Sequence, residues 1–232
     1  MENDSAQGGP AHVLVRVWLP DRPGALGQVA SRIGAVRGDI VGVDVLERGE
    51  NIAVDEFAVN LPDGALIDAL VREIEEVDGA SVEEVRRVGT FPDPRLDALG
   101  SAEQLCRASS VAELHQILAD HTRREFLAEW AALVGDDVDG AVVVGDATPG
   151  VETLEALARG ATASPMVANG SSGPEDLAIA MLADHRATLL LGRGGHPFRT
   201  RERYQLLALS RIADRAWSLL DGSPPALTGR SG

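Results

Sequence analysis

The feature that most constrains this chain is the hexapeptide Asp21-Arg22-Pro23-Gly24-Ala25-Leu26, set between two segments of different period. Before it, His12 to Leu19 alternates, with Val13, Val15, Val17 and Leu19 on one face and Leu14, Arg16 and Trp18 on the other. A two-residue period with one apolar face marks a strand. After it, Leu26, Val29, Ala30, Ile33 and Val36 recur at helical spacing. Pro23 fixes its own φ and steers Arg22 out of the α region, so the strand cannot run directly into the helix. Gly24 has no Cβ, so backbone or a ligand can approach closely there. The N–H groups of the first helical turn, near Gly24 to Leu26, form a small anion site. Asp21 sets a carboxylate beside them. An anion site next to an acid suits a zwitterion such as an amino acid.

The punctuation that follows extends the pattern. Gly38 is placed to close the helix. Asp39 to Arg48 reads as a strand with Val41, Val43 and Val45 on one face, and Arg48-Gly49-Glu50-Asn51 as a hairpin turn. Ile52 to Leu61 is a third strand with Ala53, Phe57, Val59 and Leu61 inward, interrupted by Asp55. Asp63 can cap the next helix, whose stripe is Leu66, Ala69, Leu70, Ile74 and Val77, with Gly79 at its end. In Ala80 to Val88 the valines Val82 and Val85 are out of phase, which marks an irregular or edge strand. The order β-α-β-β-α-β is the ferredoxin-like split motif, so the fold class is α+β. Two helices on one sheet face leave the other less covered. Leu14, Trp18, Ile40 and Leu46 fall on that phase and are expected to form a partner surface.

Thr90 to Gly100, with Phe91-Pro92-Asp93-Pro94, reads as a linker between a domain at 11–89 and a second at 101–222. Ser101-x-x-Gln104 and Ser110-x-x-Glu113 are capping-box patterns, the second opening a helix expected to reach Val134, with Trp130 and Ala131 on its apolar stripe. A short buried strand is expected over Val138 to Val144, a helix over Val151 to Ala161, and a loop over Ser164 to Pro174. Leu177 to Leu182 and Ala187 to Gly192 read as adjacent strands. Thr200 is placed to cap a final helix with Leu206, Leu209, Ala213, Trp217 and Leu220 on its stripe.

The Asp21-to-Leu26 turn resembles the D/N-R-P-G-x-L signature of the ACT domain, a small-molecule-binding module of amino-acid metabolism. The resemblance spans roughly Ala11 to Gly89. It implies chains that pair, with the ligand held between this turn (Asp21, Arg22, Pro23, Gly24, Ala25, Leu26) and the second strand of a neighbouring copy, here Asp39 and Ile40. Leu19-Pro20 stands where many relatives carry a polar residue, which argues for an apolar ligand side chain lined by Leu19 and Ile40. The second half, with helices at both ends of a sheet, resembles a GAF domain. Thr188-Leu189-Leu190-Leu191-Gly192, then His196-Pro197-Phe198, then a helix rich in Leu, Ala and Arg carry that likeness. It is shorter than a typical member. Together the resemblances imply a non-catalytic regulatory protein, a homodimer or higher even oligomer. The alternative is a structural adaptor that binds protein and no metabolite.

Composition excludes several classes. The 232-residue chain has a net charge of −15 and contains no lysine, all 21 basic residues being arginine. Such a surface repels nucleic acid and anionic membrane. Without lysine there is no Walker A or Schiff-base chemistry. The longest apolar runs are too short to span a bilayer and no signal pattern opens the chain, so a cytoplasmic protein is expected. One cysteine, Cys106, allows neither an internal disulfide nor a multi-cysteine metal site, and no motif around it supports bilin attachment. His115 and His121 are six apart, and His185 and His196 lie on separate turns; none has metal-site spacing. Asp136, Asp137 and Asp139 lack the later glutamate of a calcium loop. Gly192-Arg193-Gly194-Gly195 lacks a full dinucleotide fingerprint. Arg193, Arg199, Arg201 and Arg203 form a basic cluster, read as a solvated face. No cofactor, metal or catalytic constellation is expected.

Overall fold

The computed structural model describes residues 9–49, 51–169 and 173–222. Glu50 of the predicted hairpin turn and residues 170–172 of the predicted loop lie outside the described residues. The chain forms two compact units, residues 1–92 and 93–232.

The first unit runs β1 (Ala11–Pro20), α1 (Ala25–Ala35), β2 (Asp39–Arg48), β3 (Ile52–Leu61), a 3-10 turn (Gly64–Leu66), α2 (Ile67–Glu75) and β4 (Ser81–Val88). The antiparallel sheet has the order β2-β3-β1-β4, the ferredoxin-like arrangement. Val13, Val15, Val17 and Leu19 from β1 and Ala53, Phe57, Val59 and Leu61 from β3 pack under Val29 and Ile33 of α1 and Leu70 and Ile74 of α2. Strand alternation supplies one wall of this core and helical periodicity the other. Asp63 caps the 3-10 turn by accepting from the Ala65 N–H at 2.9 Å. β4 is an edge strand, and its register against β1 shifts between Arg16 and Val17, which accounts for the phase break between Val82 and Val85.

Three expectations for this unit change. The left-handed residue after α1 is Arg37 (φ 61), while Gly38 is needed for contact: a Cβ there would meet the Ile33 side chain at 2.7 Å. Bulges between Ile40 and Gly42 and between Val45 and Glu47 break the expected alternation of β2, and Ile40 packs with the helix-side core. The face away from the helices is not an apolar surface. Arg16 lies across it, 3.1 Å from Glu56 and 3.9 Å from Glu83, and the Trp18 indole donates to Glu83 at 3.2 Å. Exposed apolar side chains gather on the β2 edge instead, at Val41, Val43 and Val45, with Ile52 at the adjoining hairpin.

The second unit runs α3 (Pro94–Arg107), α4 (Val111–Glu125), β5 (Trp130–Gly135), β6 (Val142–Val144), α5 (Val151–Ala163), α6 (Pro165–Ala168), β7 (Leu177–Leu182), β8 (Ala187–Gly192) and α7 (Thr200–Asp221). Its antiparallel sheet has the order β6-β5-β8-β7. One core joins Leu105 of α3, Leu114 and Leu118 of α4 and Leu206, Leu209 and Trp217 of α7 to Leu133, Leu189 and Leu191. A second, on the opposite phase, joins Trp130, Ala132, Val134 and Leu190 to Leu154 and Ala161 of α5.

Here too the reading changes. Most of the predicted linker is helix, because Asp93 caps α3 through the Arg95 and Leu96 N–H groups and Pro94 suits the first turn. Ser101 is therefore inside a helix and donates to Glu125. The helix expected to reach Val134 stops at Glu125. Leu127 adopts a left-handed φ of 52, and Trp130 and Ala131 begin a strand with apolar residues on both faces. A fully buried strand has no two-residue period, so Trp130 to Val134 passes for a helical stripe. The strand near Val144 is shorter than expected, only partly buried, and at the sheet edge. The N-cap of α7 is Arg199, whose N–H donates to Glu202. Among the described residues no helix is long and apolar enough to cross a membrane.

Candidate functional site

The Asp21–Leu26 turn joins β1 to α1 at the sheet end that also carries the β2–β3 hairpin. Gly24 is the N-cap of α1 at φ 90, ψ −13, a left-handed conformation that a side chain disfavours. The Asp21 N–H donates to the Asn51 carbonyl at 3.0 Å, Arg22 to Pro20 at 2.8 Å, Ala25 to Arg22 at 3.2 Å and Gln28 to Gly24 at 3.0 Å. The amides of Gly24, Leu26 and Gly27 meet no acceptor among the described residues. Ala25 is buried in the core and anchors the turn, while Asp21, Arg22, Pro23 and Gly24 are exposed and Leu26 is 44% exposed. The Arg22 guanidinium donates to Gln28 at 3.2 Å, along the first helical turn. The outcome, among the described residues, is a set of unpaired N–H groups at a helix start, preceded in the same turn by the exposed Asp21.

Asp39 and Ile40 are not brought to this turn within one chain. The registers Pro20↔Ile52 and Asp39↔Asn60 put them at opposite ends of β3, about 26 Å apart at the usual strand rise. Leu19 is 3% exposed and belongs to the core rather than to a pocket wall.

What the turn does have near it is Asp55. This residue pairs with Val17 on one side and Val45 on the other, on the helix-side phase of β3. Burial raises its pKa; Arg48 opposes the shift and Asp21 adds to it. The signal in the sequence was its charge at a position where the alternation demands an apolar residue.

The second unit holds a separate cavity of about 640 Å³ between the sheet and α5, with Val134, Val138, Ala158 and Met181 as apolar walls and Glu155, Arg159 and Arg186 at its margin. Arg186 bonds Asp137 at 2.8 Å, which holds that carboxyl below its usual range and occupies the acidic turn. The predicted basic cluster does not exist as a surface: Arg193, Arg199 and Arg203 are buried, and Arg203 donates to the Leu177 and Pro174 carbonyls at 2.7 and 2.6 Å.

His115 and His185, 70 positions apart by their numbers, converge on Trp217. His185 stacks on the indole at 4.2 Å, with its nitrogens 2.7 Å from Asp214 and 3.2 Å from Asp221. Both nitrogens are thereby engaged, so this cluster ties α7 to the β7–β8 turn. Cys106 is exposed and unpaired. Among the described residues no group of three or more His, Cys, Asp or Glu is arranged to hold a metal ion.

No protein-family model matches the chain, and no curated protein matches it. Several solved structures are similar in part. The ACT domain from the GTP pyrophosphokinase of Chlorobium tepidum is 15% identical over 36% of this chain and 92% of its own, with a TM-score of 0.29. The regulatory subunit of aspartate kinase from Thermus thermophilus is 13% identical, covering 92% of this chain and 99% of that one, with a TM-score of 0.28. A bacteriophytochrome from R. palustris is 14% identical over 78% of this chain and 48% of its own, with a TM-score of 0.36. Likenesses of this size decide neither family nor ligand.

Proposed function

We propose that the chain is a non-catalytic regulatory protein whose ACT-like first unit binds a small molecule, foremost an amino acid, at the Asp21–Leu26 turn. The GAF-like second unit, with its own cavity, passes the signal on. The observation that carries this reading is that the Gly24, Leu26 and Gly27 amides, in the turn that the exposed Asp21 opens, have no partner among the described residues. A ligand carboxylate gains the helix-start field there, and an ammonium gains a charge-assisted bond to Asp21, each worth roughly 1–3 kcal/mol.

Two copies complete the site. The exposed valines of the β2 edge favour a second copy as occupant, since an uncovered apolar edge is a template for pairing. Antiparallel pairing of two β2 edges brings Asp39 and Ile40 of the second copy to the sheet end that carries the turn of the first. The same exposed edge supports the adaptor reading, in which the partner is another protein and no metabolite binds.

A thermal-shift screen against the twenty standard amino acids, nucleotides and cyclic nucleotides separates the two, because a ligand that binds only the folded state stabilises it. The sensor reading expects an amino acid to raise the melting temperature, and Asp21→Ala to weaken that amino acid at least about tenfold. No shift with any amino acid, or an Asp21→Ala variant that binds as the wild type does, refutes it.

A further inference from the structure

Asp55 is a buried carboxylate without a partner among the described residues. It is 4% exposed, makes no hydrogen bond or ion pair with any described residue, and its Oδ1 is shielded from solvent. Such a group is expensive to keep in a core, and Phe57 and Val59 on the same strand show that an apolar residue fits this phase. The charges acting on it are Arg48 from β2 and Asp21 from the turn. Val17 of β1 lies directly opposite it on the helix-side phase, and Val17 belongs to the apolar core of this unit. One cation thus stands against two carboxylates, and no donor among the described residues reaches the inner one.

The helix layer ends beside it. Val45, directly opposite Asp55, is 39% exposed, and Val43, opposite Phe57, is 40% exposed. Both share the helix-side phase, so the sheet beyond Asp55 is an open apolar shelf. Leu26, on the first turn of α1, is exposed as well.

We propose that Asp55 is the ammonium-recognising residue of this site: an apolar amino acid lies on the Val43–Val45 shelf, its ammonium on Asp55 and Asp21, its carboxylate on the Gly24, Leu26 and Gly27 amides. This rests on the amino-acid reading of the turn and goes beyond it by assigning the inner carboxylate and the wall that selects the side chain. The ammonium supplies the donors that the protein withholds from Asp55. Two carboxylates with no third ligand suit an organic cation better than a metal ion.

Calorimetry on the full chain tests it, with wild type, Asp21→Ala and the near-isosteric Asp55→Asn. The probes are the best amino acid among the twenty and the α-hydroxy acid of the same side chain, which lacks the ammonium. Asp55→Asn is expected to lose at least about tenfold for the amino acid and nothing for the hydroxy acid. Its melting temperature is expected to equal or exceed that of the wild type, which separates lost binding from lost folding. If Asp21→Ala weakens the amino acid while Asp55→Asn binds it as the wild type does, the turn is the site and Asp55 has no part in it. Equal losses for both probes in Asp55→Asn assign it a merely structural role and overturn the proposal. If the wild type binds no amino acid, the underlying reading falls, and this one with it.

Discussion

Arg193 is the residue whose role changes most between sequence and structure, and its removal is the sharpest test of the second unit. Its guanidinium donates to the His196, Phe126 and Pro197 carbonyls at 2.9, 2.6 and 2.8 Å and to both Glu202 oxygens at 2.9 and 2.8 Å. It also lies 4.1 Å over the Phe198 ring. Arg193→Ala deprives three carbonyls and a partly buried carboxylate of donors at once. Breaking a buried pair by removing one partner costs about 3–5 kcal/mol. Arg193→Lys restores a point charge but not the planar fork, and is expected to recover under half of that. Urea unfolding followed by the fluorescence of Trp130 and Trp217 reads the second unit. With a slope near 2 kcal/mol/M, the alanine variant shifts the midpoint by roughly 1.5–2.5 M. The transition of the first unit, reported by Trp18, stays in place. An alanine shift below about 1 kcal/mol, or a lysine variant equal to the wild type, would show Arg193 to be a solvated cation and refute the argument.

Further outcomes follow from the same structure. Burial, with a smaller contribution from His185, lowers the His115 pKa to about 4. The unfolded chain then binds the extra proton first as pH falls from 6.5 towards 4, so the second unit loses about 2–3 kcal/mol over that window; His115→Phe abolishes this dependence in acid-range urea melts, and a wild-type profile flat over the window contradicts it. Asp55 has the opposite sign: its folded pKa lies above the unfolded value, so the first unit becomes less stable as pH rises through the interval between them. Asp55→Asn removes that slope, and an unchanged pH profile of the first transition contradicts the burial described. A Cβ at Gly192 would meet the Trp130 indole at 2.2–2.4 Å, so Gly192→Ala is expected to cost roughly 1–3 kcal/mol, with an altered Trp130 emission; a fully stable variant would show that the ring moves freely.

How much of this was legible depends on whether a local pattern had one dominant cause. The first unit was readable because β1 and β3 alternate cleanly and α1 and α2 carry helical stripes against them. The β5 segment was not, since Trp130 to Val134 is buried on both faces and has no period to read. Arg193, Arg199 and Arg203 looked like a basic surface because sequence shows charge but not the carbonyls that enclose it. The turn was legible from Pro23 and Gly24, whose backbone restrictions are local. Its distance from Asp39 was not, because that follows from the register of β3 against both neighbours. Asp55 was visible as an anomaly in an apolar phase, but that no described residue pairs with it is a property of the packed core alone.

The central claim is that an amino acid binds at the start of α1, and amide chemical shifts test it most directly. In a titration of the isotope-labelled protein with the amino acid that most raises its melting temperature, the largest shifts are predicted at the Gly24, Leu26 and Gly27 N–H groups, which have no acceptor among the described residues. Shifts confined to the residues around the second-unit cavity, such as Val134, Ala158 and Met181, with the turn unmoved, would contradict the account.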